Sequence, residues 1–452
     1  MTVLPSTAVR LFAHAAALQA SGRLPSLVAG VVRDGALAWS CGHGAMTGTE
    51  VPPGDNLQYR IGSISKTLTA VAVMQLRDAG RLALDDPVDK HLLGTPFGDR
   101  TIGQLLSHGA GLAAESPTEW WERVPGQPWE SFATSLSIDD VKHPAGRRFH
   151  YSNLGYGLLG EILARLNERT WEQVVRDDLL LPLGMVRTTM RPESPAAQGF
   201  SVHPWADLVL REPEHDGAAM AAAGQLWSTL TDLGRLATFL LGDTGDVLAS
   251  DTLAEMCAPA GVDAAAPGWS AYGLGLQVHR VDGHIHVGHG GSMPGFLASV
   301  FVDREDGIGG VLLTNGTSGL APGAVDGLIT ILRDSEPPAV QAWQPLDHVD
   351  EDALALTGTW YWGTSTYGLR LCSDGLLHLF GLLGAGRASR FRRTEAGWIG
   401  LEGYHAGELL RPVMSEDRVV ALDLGSFVFS RTPYDPAAPI PGGVDPTGWT
   451  TG

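Results

Sequence analysis

The stretch Arg60-Ile-Gly-Ser63-Ile-Ser-Lys66-Thr-Leu-Thr-Ala70 sets a serine and a lysine three positions apart at what reads as the start of a helix. Gln58 to Ile61 reads as a short strand running into Ser63. From there to Leu82 the pattern is helical and apolar nearly all round, so this helix is expected to be buried. At about 3.6 residues per turn, positions i and i+3 share a face, so the Lys66 amine can meet the Ser63 hydroxyl. The helix start adds unpaired N–H groups and the positive end of the dipole, which favour a developing oxyanion. Ser-x-x-Lys is common by chance. It gains weight here because, of 31 basic residues, only Lys66, Lys90 and Lys142 are lysines. Arginine stays charged in any setting, whereas a desolvated lysine can titrate near neutrality. The bland alternative is a lysine that snorkels to the surface from the first turn.

A second constellation is Phe149-His-Tyr151-Ser-Asn153-Leu-Gly. In an extended or tightly turned segment, residues two apart point the same way. A phenol beside an ammonium is expected to have a lowered pKa and to relay a proton to and from a serine oxygen. The Asn153 amide can hold the lysine and a substrate carbonyl together. The third constellation is Val287-Gly-His289-Gly290-Gly291-Ser292-Met-Pro-Gly on a predicted strand. Glycines inside a strand are costly unless another backbone or a ligand comes close. His284, His286 and His289 invite a zinc reading, but no aspartate follows in metal-site spacing and no cysteine is near. His284 and His286 are therefore read as structural, with no metal and no cofactor expected. Gly-x-Ser-x-Gly is missing, as are a phosphate loop and a dinucleotide fingerprint.

Outward from these motifs, Ser26 to Trp39 alternates around Asp34-Gly35 as a hairpin. Helical patterns dominate between Ile102 and Leu241, broken by a loop with Trp120, Trp121 and Trp129. Strands return over Gly273 to His279, His284 to Val287, Phe296 to Val302 and Gly309 to Asn315, followed by an apolar helix, Ala324 to Leu332. Hairpin-linked strands of this kind imply an α/β (α+β) domain with a largely antiparallel sheet. After the stiff Asp334-Ser-Glu-Pro-Pro stretch, about eight short strands bounded by glycines run from Leu356 to Phe429. They predict a small β-barrel or sandwich.

A chain of 452 residues suits two domains. The formal charge of −19 argues against nucleic-acid and anionic-membrane partners. Three separated cysteines (Cys41, Cys257 and Cys372) form no disulfide framework. The N-terminus lacks the pattern of a signal peptide and no window reaches membrane-spanning length, so a cytoplasmic location is expected.

The three motifs in this order resemble the serine β-lactamase and penicillin-binding-protein superfamily. The similarity is to its class C-like branch, which includes D-aminopeptidases, family VIII esterases and penicillin-binding-protein-type thioesterases. Leu84-Asp-Asp-Pro-Val-Asp, Leu105-Leu-Ser-His-Gly-Ala-Gly-Leu, Leu181-Pro-Leu-Gly-Met and Gly224-Gln-Leu-Trp-Ser-Thr-Leu-Thr-Asp-Leu look similar too. The resemblance implies a catalytic domain over residues 1–335, a linker at 336–350, a lipocalin-like β-barrel over 351–433 and an extended tail at 434–452. It further implies Ser63 as nucleophile, Lys66 as its activator, Tyr151 as general acid/base and Asn153 as the group that orients Lys66 and substrate. His289 would replace the third motif's basic residue. Gly290, Gly291 and Ser292 would border the substrate, with the Ser63 and Ser292 N–H groups as the oxyanion hole.

One departure is informative. The family's Lys-Thr-Gly becomes His289-Gly290-Gly291, which loses the hydroxyl that helps bind a free carboxylate. That argues against a β-lactamase or a DD-peptidase. The expected function is a serine acyl-enzyme hydrolase or acyltransferase on peptide-like esters, thioesters or amides. The specific expectation is a penicillin-binding-protein-type thioesterase that releases or cyclises a nonribosomal peptide through a Ser63 acyl intermediate, its substrate a peptide-like small molecule presented on a carrier protein. The alternatives are a D-stereospecific aminopeptidase, a family VIII-type esterase and a non-catalytic acyl-ligand sensor.

Overall fold

The computed structural model describes residues 2–45, 52–118, 121–264, 269–337, 342–383, 386–425 and 427–433. The predicted tail at 434–452, part of the predicted linker and Trp120 lie outside the described residues. The chain divides into two compact units, residues 1–338 and 339–452.

In the first unit, helix α1 (Pro5–Ser21) precedes strands β1 (Ser26–Arg33) and β2 (Ala36–Gly44). Asp34 and Gly35 both take positive φ, 54° and 72°, as a two-residue hairpin turn demands. Next come helices α2 (Ile64–Asp78), α3 (Asn153–Asn167) and α4 (Leu230–Leu240). Strands β3 (Gly261–Val262), β4 (Ser270–Tyr272), β5 (Gln277–Val281), β6 (His284–Met293), β7 (Phe296–Asp303) and β8 (Ile308–Thr314) follow, and helix α5 (Ala324–Ser335) ends the unit. The eight strands form one antiparallel sheet in the order β2-β1-β8-β7-β6-β5-β4-β3.

Period-two alternation sends β1 side chains to two cores. Val28 and Val32 join the large core that includes α2, α3 and α4. Leu27, Ala29 and Val31 face the other way, against α1 and α5. The strand expected over Gly273 to His279 is divided between β4 and β5, because Gly275 turns the chain at φ +82°. That glycine also lies against α2: a Cβ there would sit 2.2 Å from Ala70 Cβ. The α2 helix is buried on nearly all sides, as its apolar pattern predicts.

The second unit is a closed barrel of eight strands: β9 (Gly358–Trp362), β10 (Ser365–Leu371), β11 (Leu377–Gly381), β12 (Ser389–Thr394), β13 (Gly397–Gly403), β14 (Leu409–Ser415), β15 (Arg418–Leu424) and β16 (Phe427–Ser430). Successive strands pair antiparallel, and Tyr361 opposite Ser430 closes the ring. Trp360, Leu379, Phe391, Leu410, Leu422 and Phe429 are buried together in a packed core, as expected of an eight-stranded barrel whose side chains fill its interior. Among the described residues no helix is long and apolar enough to cross a membrane.

Candidate active site

Ser63 is the N-cap of α2, yet its side chain makes no capping hydrogen bond. The hydroxyl is instead 3.0 Å from Lys66 Nζ. Gly62, at φ +51°, turns the chain into the helix. Lys66 is 0 % exposed, and its Nζ also donates to the Ala223 carbonyl at 2.6 Å. Lys90 and Lys142 are both exposed, so the buried lysine is the one beside the serine. Desolvation lowers the Lys66 pKa from 10.5 to about 7, against the opposing pull of Glu115 and Glu122. Near neutrality a large fraction is therefore free amine, able to accept the Ser63 proton.

Tyr151 stands beside this pair. Its ring centroid is 5.0 Å from Lys66 Nζ, and its hydroxyl is hydrogen-bonded to Ser63. The expected lowering of its pKa is corrected: burial raises it, and the Ser63 hydrogen bond only partly opposes that rise. An anionic oxygen is costly in so dry a setting. Tyr151 thus rests as a neutral phenol, a proton donor or relay, and Lys66 is the group that can act as base.

The segment before α3 is a helix entrance and not an extended strand. Ser152 caps α3 by accepting from the Gly155 N–H, and Asn153 is its first residue. The expected tie between Asn153 and Lys66 is also corrected. Asn153 Nδ2 donates to both carboxylate oxygens of Glu115, at 3.0 and 2.9 Å. Trp121 Nε1 donates to the same carboxylate at 2.6 Å. Asn153 therefore influences Lys66 through Glu115, whose negative charge raises the lysine's pKa.

His289 is buried on β6. Its Nδ1 donates to the Gly290 carbonyl, so Nε2 accepts from the Tyr272 hydroxyl at 2.9 Å. Burial and the Lys66 charge lower its pKa to about 3. It is a neutral imidazole near pH 7 in the place of the third motif's basic residue. His108, at φ 57°, holds the Tyr151 segment from below. Its carbonyl accepts the His150 N–H at 2.9 Å, and its Nδ1 accepts the Ser152 N–H at 3.0 Å.

Of the two motif glycines on β6, Gly291 has the close neighbour expected of it, whereas a Cβ on Gly290 would meet nothing nearer than 3.8 Å. A Cβ on Gly291 would sit 1.8 Å from the Ile61 carbonyl oxygen, and one on Gly62 would sit 2.6 Å from Ser292 N. Only bare backbone lets the strand lie against the start of α2. Pairing with β5 ends at Gly288 opposite Gln277, and the Gly290 N–H goes to Gln277 Oε1 at 3.1 Å. By strand periodicity the Ser292 N–H faces that same uncovered edge. A cavity of about 640 Å³ opens there, lined by Ser63, Tyr151, His289, Gly290, Gly291 and Ser292 among others. Lys66 and Asn153 stand behind its wall.

A hydroxyl, a desolvated amine, a phenol and the end of β6 that β5 leaves unpaired can together carry out acyl transfer through a serine ester. The family model described as Beta-lactamase matches residues 11–332. The chain belongs to this Beta-lactamase family. A second model, a domain of unknown function (DUF7586), matches residues 349–431, the barrel. Beta-lactamase-like protein 2 of Dictyostelium discoideum is 30 % identical over 256 residues, 52 % of this chain and 46 % of that protein. Protein flp of Staphylococcus aureus (strain MW2) is 26 % identical over 322 residues, 68 % of this chain and 63 % of that protein. The match thus spans less than two thirds of either relative's length. A solved structure of SurE is 25 % identical, with a TM-score of 0.61, covering 94 % of this chain and 99 % of SurE. The D-stereospecific amidohydrolase from Streptomyces sp. is also 25 % identical with a TM-score of 0.61, covering 74 % of this chain and 99 % of that enzyme.

Within this member of the Beta-lactamase family, sequence reasoning missed Glu115 and Tyr272. Neither sits in a motif, and both reach the site through tertiary packing. A pH profile tests the role of Glu115. With Lys66 near pKa 7, kcat/KM should rise with pH through neutrality as the amine loses its proton. Glu115→Gln removes a charge that raises that pKa, so the rising limb should move to lower pH. A flat profile through neutrality, or a limb that moves up, would contradict the assignment of Lys66 as base.

Proposed function

We propose that the chain is a serine hydrolase or acyltransferase that takes peptide-like acyl donors as an ester on Ser63, with a preference for D-configured aminoacyl groups. The observation that carries the reading is the wholly buried Lys66, 3.0 Å from the Ser63 hydroxyl. Lys66 accepts the Ser63 proton as Oγ adds to the donor carbonyl. The Ser63 and Ser292 N–H groups hold the oxyanion. Collapse of that intermediate breaks the bond to the amine, alcohol or thiol, which leaves with a proton relayed through Tyr151 and Lys66. Water or an amine then attacks the ester by the reverse path. The D preference is supported by the likeness to the D-stereospecific amidohydrolase, and a peptide-like donor by the end of β6 that β5 leaves unpaired past Gly288.

A second reading is release of a nonribosomal peptidyl thioester by hydrolysis or cyclisation. The third motif favours it: a Cβ on Gly290 would meet nothing nearer than 3.8 Å, so the cavity wall there leaves room for a bulky acyl chain. Paired D and L aminoacyl amides and peptidyl thioesters test both readings on the full chain and on residues 1–337. The D donor should exceed its L counterpart at least about 10-fold in kcat/KM, a difference within reach of pocket shape. Truncation should spare the small amide and slow the peptidyl thioester, since remote contacts are realised as rate. Equal use of D and L donors would contradict the stereochemical reading. Equal losses on truncation would contradict a substrate role for the barrel.

A further inference from the structure

Strand β6 carries a second concentration of chemistry about 20 Å from Ser292, six residues back along the strand at ~3.3 Å each. His284 and His286 lie two apart and share a face. The register sets His279 of β5 and Asp303 of β7 on either side of His286. No aspartate follows His284 and His286 in metal-site spacing. The fold supplies Asp303, Asp306 and Asp326 from elsewhere.

His286 is 0 % exposed. Its Nδ1 is 2.7 Å from Asp326 Oδ1, so Nδ1 carries the ring proton and Nε2 carries the lone pair. Nε2 makes no hydrogen bond to protein and lies 4.0 Å from Asp303 Oδ2. Asp303 is also 0 % exposed. Its Oδ1 accepts the N–H groups of Glu305 and Asp306, while its Oδ2 makes no hydrogen bond. His284 Nδ1 lies 2.9 Å from Asp303 Oδ2 and 3.4 Å from Asp306 Oδ2, yet neither it nor Asp306 Oδ2 forms a hydrogen bond of proper geometry. Buried polar atoms are satisfied in about 90 % of cases or more. Three of them, His284 Nδ1, Asp303 Oδ2 and Asp306 Oδ2, lie within 4.8 Å of one another, and His286 Nε2 borders that set 4.0 Å from Asp303 Oδ2.

We propose that His284 Nδ1, Asp303 Oδ2 and Asp306 Oδ2 bind one divalent cation of the zinc class, with a water as fourth ligand donating to His286 Nε2. Ligands about 2.0–2.2 Å from a tetrahedral ion lie about 3.3–3.5 Å from one another, and His284 Nδ1 lies 2.9 and 3.4 Å from the two carboxylate oxygens. An imidazole among the ligands suits zinc better than magnesium or calcium, which take oxygen ligands. The Asp326–His286 hydrogen bond fixes the tautomer that leaves His286 Nε2 free to accept from that water. Two carboxylates balance the ion's charge, and Arg333, with Nη1 3.7 Å from Asp303 Oδ2 and Nε 4.0 Å from Asp306 Oδ2, is a second cation facing both of them. The ion would join β6, β7 and the turn after β7. Through Asp326 it would also brace α5, and Asp326 and His279 both border the substrate cavity.

The test uses the full-length protein, stripped with a chelator, desalted and titrated with Zn2+ alone by calorimetry, with metal content measured after dialysis. One zinc per chain and a higher melting temperature are expected, with tetrahedral visible bands on Co2+ substitution. His284→Ala and Asp306→Asn, the more exposed ligands, should each weaken binding at least about 100-fold, and Asp326→Asn about 10–100-fold. The wild-type titration needs no variant to fold. Less than a tenth of an equivalent bound, with an unmoved melting temperature, would overturn the proposal, as would binding that survives both ligand variants.

Discussion

Ser63→Ala is expected to lower turnover by at least about 10,000-fold while leaving the melting temperature nearly unchanged. Loss of a serine nucleophile removes the covalent path, and what remains is binding and oxyanion stabilisation. The fold should tolerate the change because the Ser63 side chain makes no cap hydrogen bond. Loss of a working cap costs about 1 kcal/mol, so here the penalty should be smaller. Steady-state kinetics on a small activated ester, beside a thermal melt, give both readouts. Activity within 10-fold of wild type, on a protein that melts normally, would remove Ser63 from the chemistry.

Lys66→Arg should be nearly as damaging as Lys66→Ala, each costing about 100- to 10,000-fold in kcat/KM, the range of general acid–base catalysis. Arginine keeps the charge but gives up no proton near neutral pH. Lys66 Nζ also fits between the Ser63 hydroxyl and the Ala223 carbonyl, a place for one nitrogen and not for a planar guanidinium. Because bulk alone could disturb the site, Lys66→Ala with added small primary amines is the companion experiment. Partial rescue that follows amine basicity is expected. An arginine variant that keeps most of its rate would reduce Lys66 to an electrostatic role.

Ser63, Lys66 and Tyr151 were legible because their meaning is local. Helical spacing, a helix start and a lysine in an arginine-rich chain can all be read from short windows. The close approach at Gly291 was legible too, since glycine in a strand asks for a neighbour, and the Ile61 carbonyl is that neighbour; Gly290, where a Cβ would meet nothing nearer than 3.8 Å, has none. The sign of the Tyr151 pKa shift was not, because burial is decided by distant segments. Asn153 was misread for a related reason: its partner, Glu115, lies 38 positions away. The neighbours of His284 and His286 were not legible either, because only the sheet register and the following turn bring Asp303 and Asp306 to them. In the barrel, alternation and glycine-bounded turns announced the strands. The filled interior rests on large residues such as Trp360 and Phe391, which the pattern alone did not assign inward.

The central claim is a covalent ester on Ser63. Its most direct measurement is intact-protein mass spectrometry after acid quench, during turnover of an activated D-aminoacyl ester. An adduct of one acyl group per chain should form, map to the peptide bearing Ser63, decay as product accumulates and be missing in Ser63→Ala. Product formed with no adduct at any quench time, or an equal adduct on the Ser63→Ala protein, would contradict the account.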